Sequence, residues 1–303
     1  MSYPVYNGQI NTMILGNKKL GGAKSLPFYE KGHVPKYAYA VADSLNKELP
    51  QALQKELGPV INNPVEWVKI YNDDADAICL QIFSIDPNGQ NANIVQALDT
   101  IGQVIEATSL PLIIWGCNDI QKDKELFLAI IKKYKTHLYA IGPVQQEHHK
   151  EIAAAYKDSD IKIIASTPVD VNMAKQLNIM LENEGIDKEN ILIDPVVSVI
   201  GYGIEYVYSV IERIRLAALA HNDDKLSKPI VCNIGFESWK IKESGYMDEI
   251  KMGDNNMRGI MWEATSAAML ATAGADLIIM LSPKAKKLAQ KLTNNLSNTY
   301  NEF

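Results

Sequence analysis

Hydrogen-bonding residues recur at one kind of place in this chain, just beyond short apolar runs. Asp86, Asn88 and Asn91 follow Ala77–Ile85, and Asn118 and Asp119 follow Pro111–Cys117. Ser166 closes Ile161–Ser166 and is followed by Thr167 and Asp170, with Asn172 just inside the next helix. Ile191–Pro195 ends on Asp194-Pro195, and Pro229–Gly235 leads to Glu237. Carboxylates, carboxamides and hydroxyls converging on one cavity can bind a polar planar ligand edge-on through paired hydrogen bonds. Each is equally suited to capping a helix or forming a turn, because a short side-chain oxygen satisfies a free main-chain N–H. Both readings stay open residue by residue, and the collection is more informative than its members. Gly201-Tyr202-Gly203 stands between the sixth run and a helix. Two glycines there let main-chain N–H groups approach a ligand, and a helix start favours negative charge, with a tight turn as the alternative.

Other chemistries lack their residues. There is no HExxH, P-loop, GxSxG or GxGxxG. His148 and His149 are adjacent, so they cannot share a helix face as a metal pair, and a solvated face is expected for them. His33, His137 and His221 have no partner at ligand spacing. Cys79, Cys117 and Cys232 form no CxxC pair and read as reduced core thiols, too few for a four-thiolate cluster. Arg213 and Arg215 flank Glu212, which points to surface pairing, and Trp115, Trp239 and Trp262 read as packing residues. Trp239 follows the loop of Glu237 and is placed to line a pocket.

The elements that must position these groups alternate. Apolar runs at Tyr37–Val41, Ala77–Ile85, Pro111–Cys117, Leu138–Gly142, Ile161–Ser166, Ile191–Pro195, Pro229–Gly235 and Asp276–Leu281 are nearly continuous, as in strands covered on both faces. Helical patterns separate them over Pro64–Asp73, Asn93–Ala107, Lys122–Tyr134, Glu147–Lys157, Val169–Asn183, Glu205–His221, Met257–Ala273 and Lys284–Leu296. Eight such pairs are the repeat of an α/β (β/α)8 TIM barrel, whose site lies on the loops after the strands. A doubly wound sheet is the runner-up. The barrel is expected over 36–303, preceded by an N-terminal extension over 1–35 in which a β-hairpin, marked by NTMILGN and a Gly21-Gly22 turn, covers the barrel's N-terminal mouth.

The composition agrees with this class. The 303 residues are 47% hydrophobic and 22% charged, with 30 basic against 36 acidic residues and a formal net charge of −6. Such a chain offers no electrostatic reason to bind nucleic acid or an anionic membrane. MSYPVYNGQI lacks the features of a signal peptide, and no stretch approaches the roughly 20 apolar residues of a membrane span, so a cytoplasmic protein is expected.

Longer strings are more specific. STPVDVNMAKQLNI (Ser166–Ile179), DPVVSVIGYGIEYVYSVIERIRLAAL (Asp194–Leu219), GFESWKIKES (Gly235–Ser244), RGIMWEA (Arg258–Ala264), WGCNDIQKD (Trp115–Asp123) and the GG-x4-PF-x-E stretch (Gly21–Glu30) resemble the small subunit of the corrinoid iron–sulfur protein, the delta subunit of acetyl-CoA decarbonylase/synthase. The similarity runs from Gly21 to Lys287 without large insertions. The chain departs from the family's pattern in the first strand, where only Asp43 persists, at Leu281-Ser282-Pro283, and over Met247–Met257.

The resemblance implies a TIM barrel related to pterin-binding methyltransferases. It implies a heterodimer with a large subunit that carries a 4Fe–4S cluster, none being bound by this chain, and a corrinoid (cobalamin) resting between the two subunits. The pair would carry a methyl group from methyltetrahydrofolate, delivered by a methyltransferase, to acetyl-CoA synthase in the Wood–Ljungdahl pathway of carbon fixation. This chain would then be a component of methyl transfer rather than a stand-alone enzyme, with its mouth capping the corrinoid. The mouth residues expected to touch the cofactor are Asp86, Asn88, Asn118, Asp119, Ser166, Thr167, Asn172, Asp194, Gly201, Tyr202, Gly203 and Glu237. An autonomous pterin-dependent methyltransferase using Asn118 and Asp194 is the alternative.

Overall fold

Strands without polar alternation need cover on both faces, and the chain supplies it by laying a helix over nearly every strand. The computed structural model describes residues 5–29, 34–45, 47–71, 74–134, 139–157, 159–247, 251 and 253–299. His33 and His137 lie outside these residues, as do Glu30, Asp73 and Leu138. A two-stranded antiparallel hairpin comes first, β1 (Thr12–Leu15) and β2 (Lys18–Gly21). Eight parallel strands follow: β3 (Lys36–Ala42), β4 (Ala77–Gln81), β5 (Leu112–Trp115), β6 (Tyr139–Val144), β7 (Lys162–Ser166), β8 (Ile191–Asp194), β9 (Val231–Asn233) and β10 (Leu277–Met280). They pair in the order β8-β7-β6-β5-β4-β3-β10-β9. The two ends meet through a parallel bridge between Ile193 and Ile230, which brings the sheet round into a barrel. Beyond Lys36, which is half-buried, every strand residue of this sheet is buried.

The helices are α1 (Gln51–Leu57), α2 (Pro64–Lys69), α3 (Ile94–Ala107), α4 (Ile120–Lys133), α5 (His149–Ala155), α6 (Val171–Asn183), α7 (Ile204–Ala220), α8 (Gly235–Lys240), α9 (Asn255–Ala273) and α10 (Pro283–Thr299). Asn63, Asn93, Asp119, Asp170 and Asp254 each accept a main-chain N–H at a helix start, the capping role open to short polar side chains. Helices α1 and α8, of seven and six residues, have no counterpart in the sequence reading. Among the described residues no helix is long and apolar enough to cross a membrane.

The hairpin lies at the N-terminal ends of the strands. Its alternation buries Met13, Leu15 and Leu20, while Asn11 N–H donates to Ser227 O at 2.7 Å and Lys18 pairs with Asp76 at 3.4 Å. Its turn falls at Gly16-Asn17 rather than Gly21-Gly22. Gly21 serves a different need: a side chain there would meet the Asn11 carbonyl at 2.0 Å.

Two further expectations are corrected by packing. Arg215 is buried, not surface-paired: its guanidinium pairs with Asp276 and donates to Gly274 O at 2.7 and 2.9 Å and to Lys228 O at 3.0 Å. It fastens α7 to the base of β9 and β10. His148 and His149 are likewise buried, His148 beside Phe127 and His149 Nδ1 at 2.6 Å from Gln146 O. The loop after β6 folds over both rings, which face spacing along α5 alone does not reveal.

Candidate functional site

The C-terminal ends of the strands open into a cup of about 400 Å³. Its base is formed by strand ends: Gln81 of β4, Trp115 of β5, Ser166 of β7, Asp194 of β8 and Asn233 of β9. Loops add Phe83, Asn118, Gln145, Val196 and Val197, and α8 adds Phe236, Glu237 and Lys240. Four carboxamides thus stand around one opening. Gln81 is 5% exposed, and its Oε1 is buried with no hydrogen-bond partner among the described residues. A buried acceptor left unpaired costs free energy that a bound donor recovers, so this atom marks a place for a ligand's N–H or O–H.

Asp194 is the cup's buried carboxylate. Ser166 Oγ donates to its Oδ2 at 2.5 Å, and Val196 N–H to its Oδ1 at 3.1 Å. Among the described residues no lysine or arginine pairs with it. Burial pushes its carboxyl up to about 6, opposed by the Ser166 and Val196 hydrogen bonds. The bond to Val196 holds a β-branched residue at φ +47°, and leaves its side chain 48% exposed. Left-handed backbone of this kind is sterically costly for valine and concentrates at functional sites.

A second buried carboxylate shapes the opposite rim. Asp123 of α4 accepts the N–H groups of Cys117 at 2.7 Å and Asn118 at 3.0 Å, and Asn118 sits at φ +69° with its side chain exposed. Burial pushes Asp123 up to about 6 as well. Gly116 makes room for it, since a Cβ there would lie 2.2 Å from the carboxylate. On the cup's remaining side, Asp43 accepts Phe83 N–H at 2.8 Å and Ser84 N–H at 3.1 Å, and burial raises its carboxyl. Phe83 then meets Phe236 edge-to-face at 5.1 Å. Glu237 and Lys240 pair at 2.5 Å, both exposed.

Of the residues expected from sequence, Asn118, Ser166, Asp194 and Glu237 come together in the cup. Asp86 accepts Asn88 N–H at 2.8 Å in a turn, and Asp119 caps α4 through Lys122 N–H at 2.9 Å. Thr167 is buried beside Asp194, with its N–H on Asp194 O at 3.1 Å and its Oγ1 without a hydrogen-bond partner among the described residues. Asn172 is exposed on the first turn of α6. Gly201, Tyr202 and Gly203 form the turn into α7 outside the cup, with Gly203 as its N-cap and Tyr202 Oη donating to Glu243 at 2.7 Å. Trp239 is buried against Glu263, to which its Nε1–H donates at 2.9 Å, and burial pushes that glutamate up to about 8. Sequence reasoning missed Gln81, Gln145, Asn233, Lys240 and the two phenylalanines. It also missed Asp123, which had a signal: it shares a stripe with Phe127 and Ile130, an acid on an apolar helix face.

The eight-stranded barrel has the architecture of dihydropteroate synthases. The enzyme from Vibrio fischeri ES114 matches with a TM-score of 0.61 at 12% identity, over 97% of this chain and 99% of that one. The Xanthomonas albilineans enzyme solved with indole-2-carboxylic acid and 6-chloroguanine matches at 0.59 and 15% identity, over 96% and 98%. Sequence goes further than shape. The family model for the CO dehydrogenase/acetyl-CoA synthase delta subunit matches residues 14–300, and the chain belongs to that family. The acetyl-CoA decarbonylase/synthase complex subunit delta of Methanopyrus kandleri is 31% identical over 277 residues, 90% of this chain and 68% of that protein. Subunit delta 2 of Methanosarcina acetivorans is 30% identical over 289 residues, 91% of this chain and 66% of that protein. The chain spans about two thirds of the length of these relatives.

Proposed function

We propose that this chain is one subunit of a multi-protein methyl-carrying assembly and that its cup caps a corrinoid held by a larger partner subunit. The relatives' names, all subunits of acetyl-CoA decarbonylase/synthase complexes, support the assembly. The observation that carries the capping role is the ring of carboxamides around the unpartnered Oε1 of Gln81. A corrin bears amide side arms on its periphery, and amides complement amides in both donors and acceptors. Gln81, Asn118, Gln145 and Asn233 would hold that periphery, with Ser166 and Asp194 beneath. When bound, the corrinoid supplies a cobalt centre that takes up and releases a methyl group. The cup admits an edge or side arm rather than a whole macrocycle, which suits a site shared between two chains. Phe83, Trp115 and Phe236 would exclude water, and the strained turns at Asn118 and Val196 would present rigid contacts. The 4Fe–4S cluster belongs to the partner in this reading. Methyl groups would arrive from a methyltetrahydropterin through a separate methyltransferase and leave to acetyl-CoA synthase, with both contacts transient.

Co-purification with the corrinoid-bearing partner tests this. Gln81→Leu and Asn118→Ala should each weaken corrinoid retention or methyl transfer by about tenfold, the effect of one lost buried hydrogen-bonding group worth roughly 1–3 kcal/mol. A folded variant pair with undiminished corrinoid and transfer would refute the capping role.

A second reading, direct pterin binding by an autonomous methyltransferase, is favoured by Asp194 and Asn118 standing in one cup of a barrel that resembles synthases solved with pteroic acid. Titration calorimetry of methyltetrahydrofolate into the isolated chain decides it. Binding heat that Asp194→Asn abolishes would support it, and absence of heat would remove it.

A further inference from the structure

The last helix carries its large apolar residues on the side away from the barrel. In α10 the residues that turn inward are small or polar: Ala285, Ala289, Thr293 and Ser297 are at most 7% exposed. Thr293 Oγ1 lies 3.1 Å from the Tyr37 hydroxyl, anchoring this face to β3. Leu288, Leu292 and Leu296 are 39%, 47% and 37% exposed. A spacing of four sets them in one stripe along the helix. Beside the stripe stand Lys284, Lys287 and Lys291, all exposed and without an ion-pair partner among the described residues. Helix α10 contains no aspartate or glutamate, whereas each of α1 to α9 contains at least one.

We infer that the outer face of α10 docks an acidic amphipathic helix of a partner chain. The leucine stripe would receive the partner's apolar stripe, as in helix-to-helix recognition, and the three ammonium groups would meet carboxylates that flank it. Charge selects this occupant. A second copy of α10 would set six lysines against one another with no carboxylate on either helix, and Glu56 and Asp74 beside it are already engaged by Ser282, the Lys284 N–H and Lys286. A basic leucine-bearing helix also has some affinity for anionic lipid. Here the leucines are already half covered and the opposite face is committed to β3 and α9, so little apolar surface remains to insert. The surface is on the barrel's flank, away from the cup, so it stands whether or not the cup meets a corrinoid.

Zero-length carbodiimide coupling in the native assembly tests the inference, because it joins an amine only to a carboxylate in direct contact. Mass spectrometry should find Lys284, Lys287 or Lys291 joined to Asp or Glu of a different chain, in a peptide with leucines at helical spacing. Leu288→Glu/Leu292→Glu should leave the thermal midpoint of the isolated chain unchanged and weaken its retention in the assembly by about tenfold or more. If that variant lowers the midpoint, Lys284→Glu/Lys287→Glu/Lys291→Glu, confined to the surface, gives the same reading. Cross-links between two copies of this chain would overturn the inference. So would equal amine reactivity of the three lysines in the isolated and assembled protein, or sedimentation with phosphatidylglycerol vesicles that the lysine variant abolishes. Corrinoid content of the assembly reports on the cup separately, so failure of one reading is distinguishable from failure of the other.

Discussion

Asp194→Asn should make the protein more stable at neutral pH and no more stable in acid. The carboxylate is buried, and among the described residues no cation stands against it and it is held by the Ser166 hydroxyl and the Val196 N–H. Burial raises its pKa from 3.8 to about 6, so the folded state binds a proton that the unfolded state releases. The stabilising term is therefore complete below about pH 4 and is lost as pH rises through about 6. A shift of roughly 2 units corresponds to about 3 kcal/mol of folding free energy withheld above pH 7. An asparagine of the same shape stays neutral throughout and keeps a carbonyl to accept one of the two bonds. Urea titrations at pH 4, 5, 6, 7 and 8, followed by tryptophan fluorescence, give the difference between variant and parent. Pocket-fit terms are common to all five pH values and cancel in its slope. The difference should move in favour of the variant by about 2.4 kcal/mol between pH 4 and 8, mostly between 4 and 6. A pH-independent difference would mean that Asp194 is not ionised against burial, and the account of the cup's electrostatics would be wrong.

Gly116→Ala should destabilise by roughly 1–3 kcal/mol through overpacking, since its Cβ would strike the Asp123 carboxylate, and the cost should shrink in an Asp123→Ala background; additive urea midpoints in that double-mutant cycle would contradict the clash. Arg215→Met should cost about 3–5 kcal/mol because it removes the guanidinium that pairs with the buried Asp276 carboxylate. Adding Asp276→Asn should recover part of that loss, and thermal melts showing no recovery would place the effect in packing instead.

How much of the site was legible from sequence depended on where each group stood relative to a strand end. Ser166 and Asp194 close apolar runs, so their place at the C-terminal face followed directly from the barrel repeat. Gln81 and Asn233 also end strands, yet they sit inside runs whose apolar character hid them. Asp86 and Asp119 are short polar residues just beyond strand ends, as Asn118 is, but their side chains are spent on a turn and a cap. Local sequence cannot separate these outcomes, because a free main-chain N–H and a ligand attract the same oxygen. The glycine pair at Gly201 and Gly203 stands in the turn before α7, with both residues at positive φ.

What the residues alone determined was the order of elements, their burial and the family. Continuous apolar runs separated by amphipathic stretches admit few arrangements, and the eight-fold repeat selects the barrel. Which polar groups share a cavity was decided only when the sheet closed between Ile193 and Ile230, because closure brings β4, β5, β7, β8 and β9 around one opening from positions far apart in the chain. The same holds for Arg215 and Asp276, and for the leucines of α10. Their fates rest on which neighbour lies across from them, a long-range property that hydrophobic periodicity within a single helix does not encode.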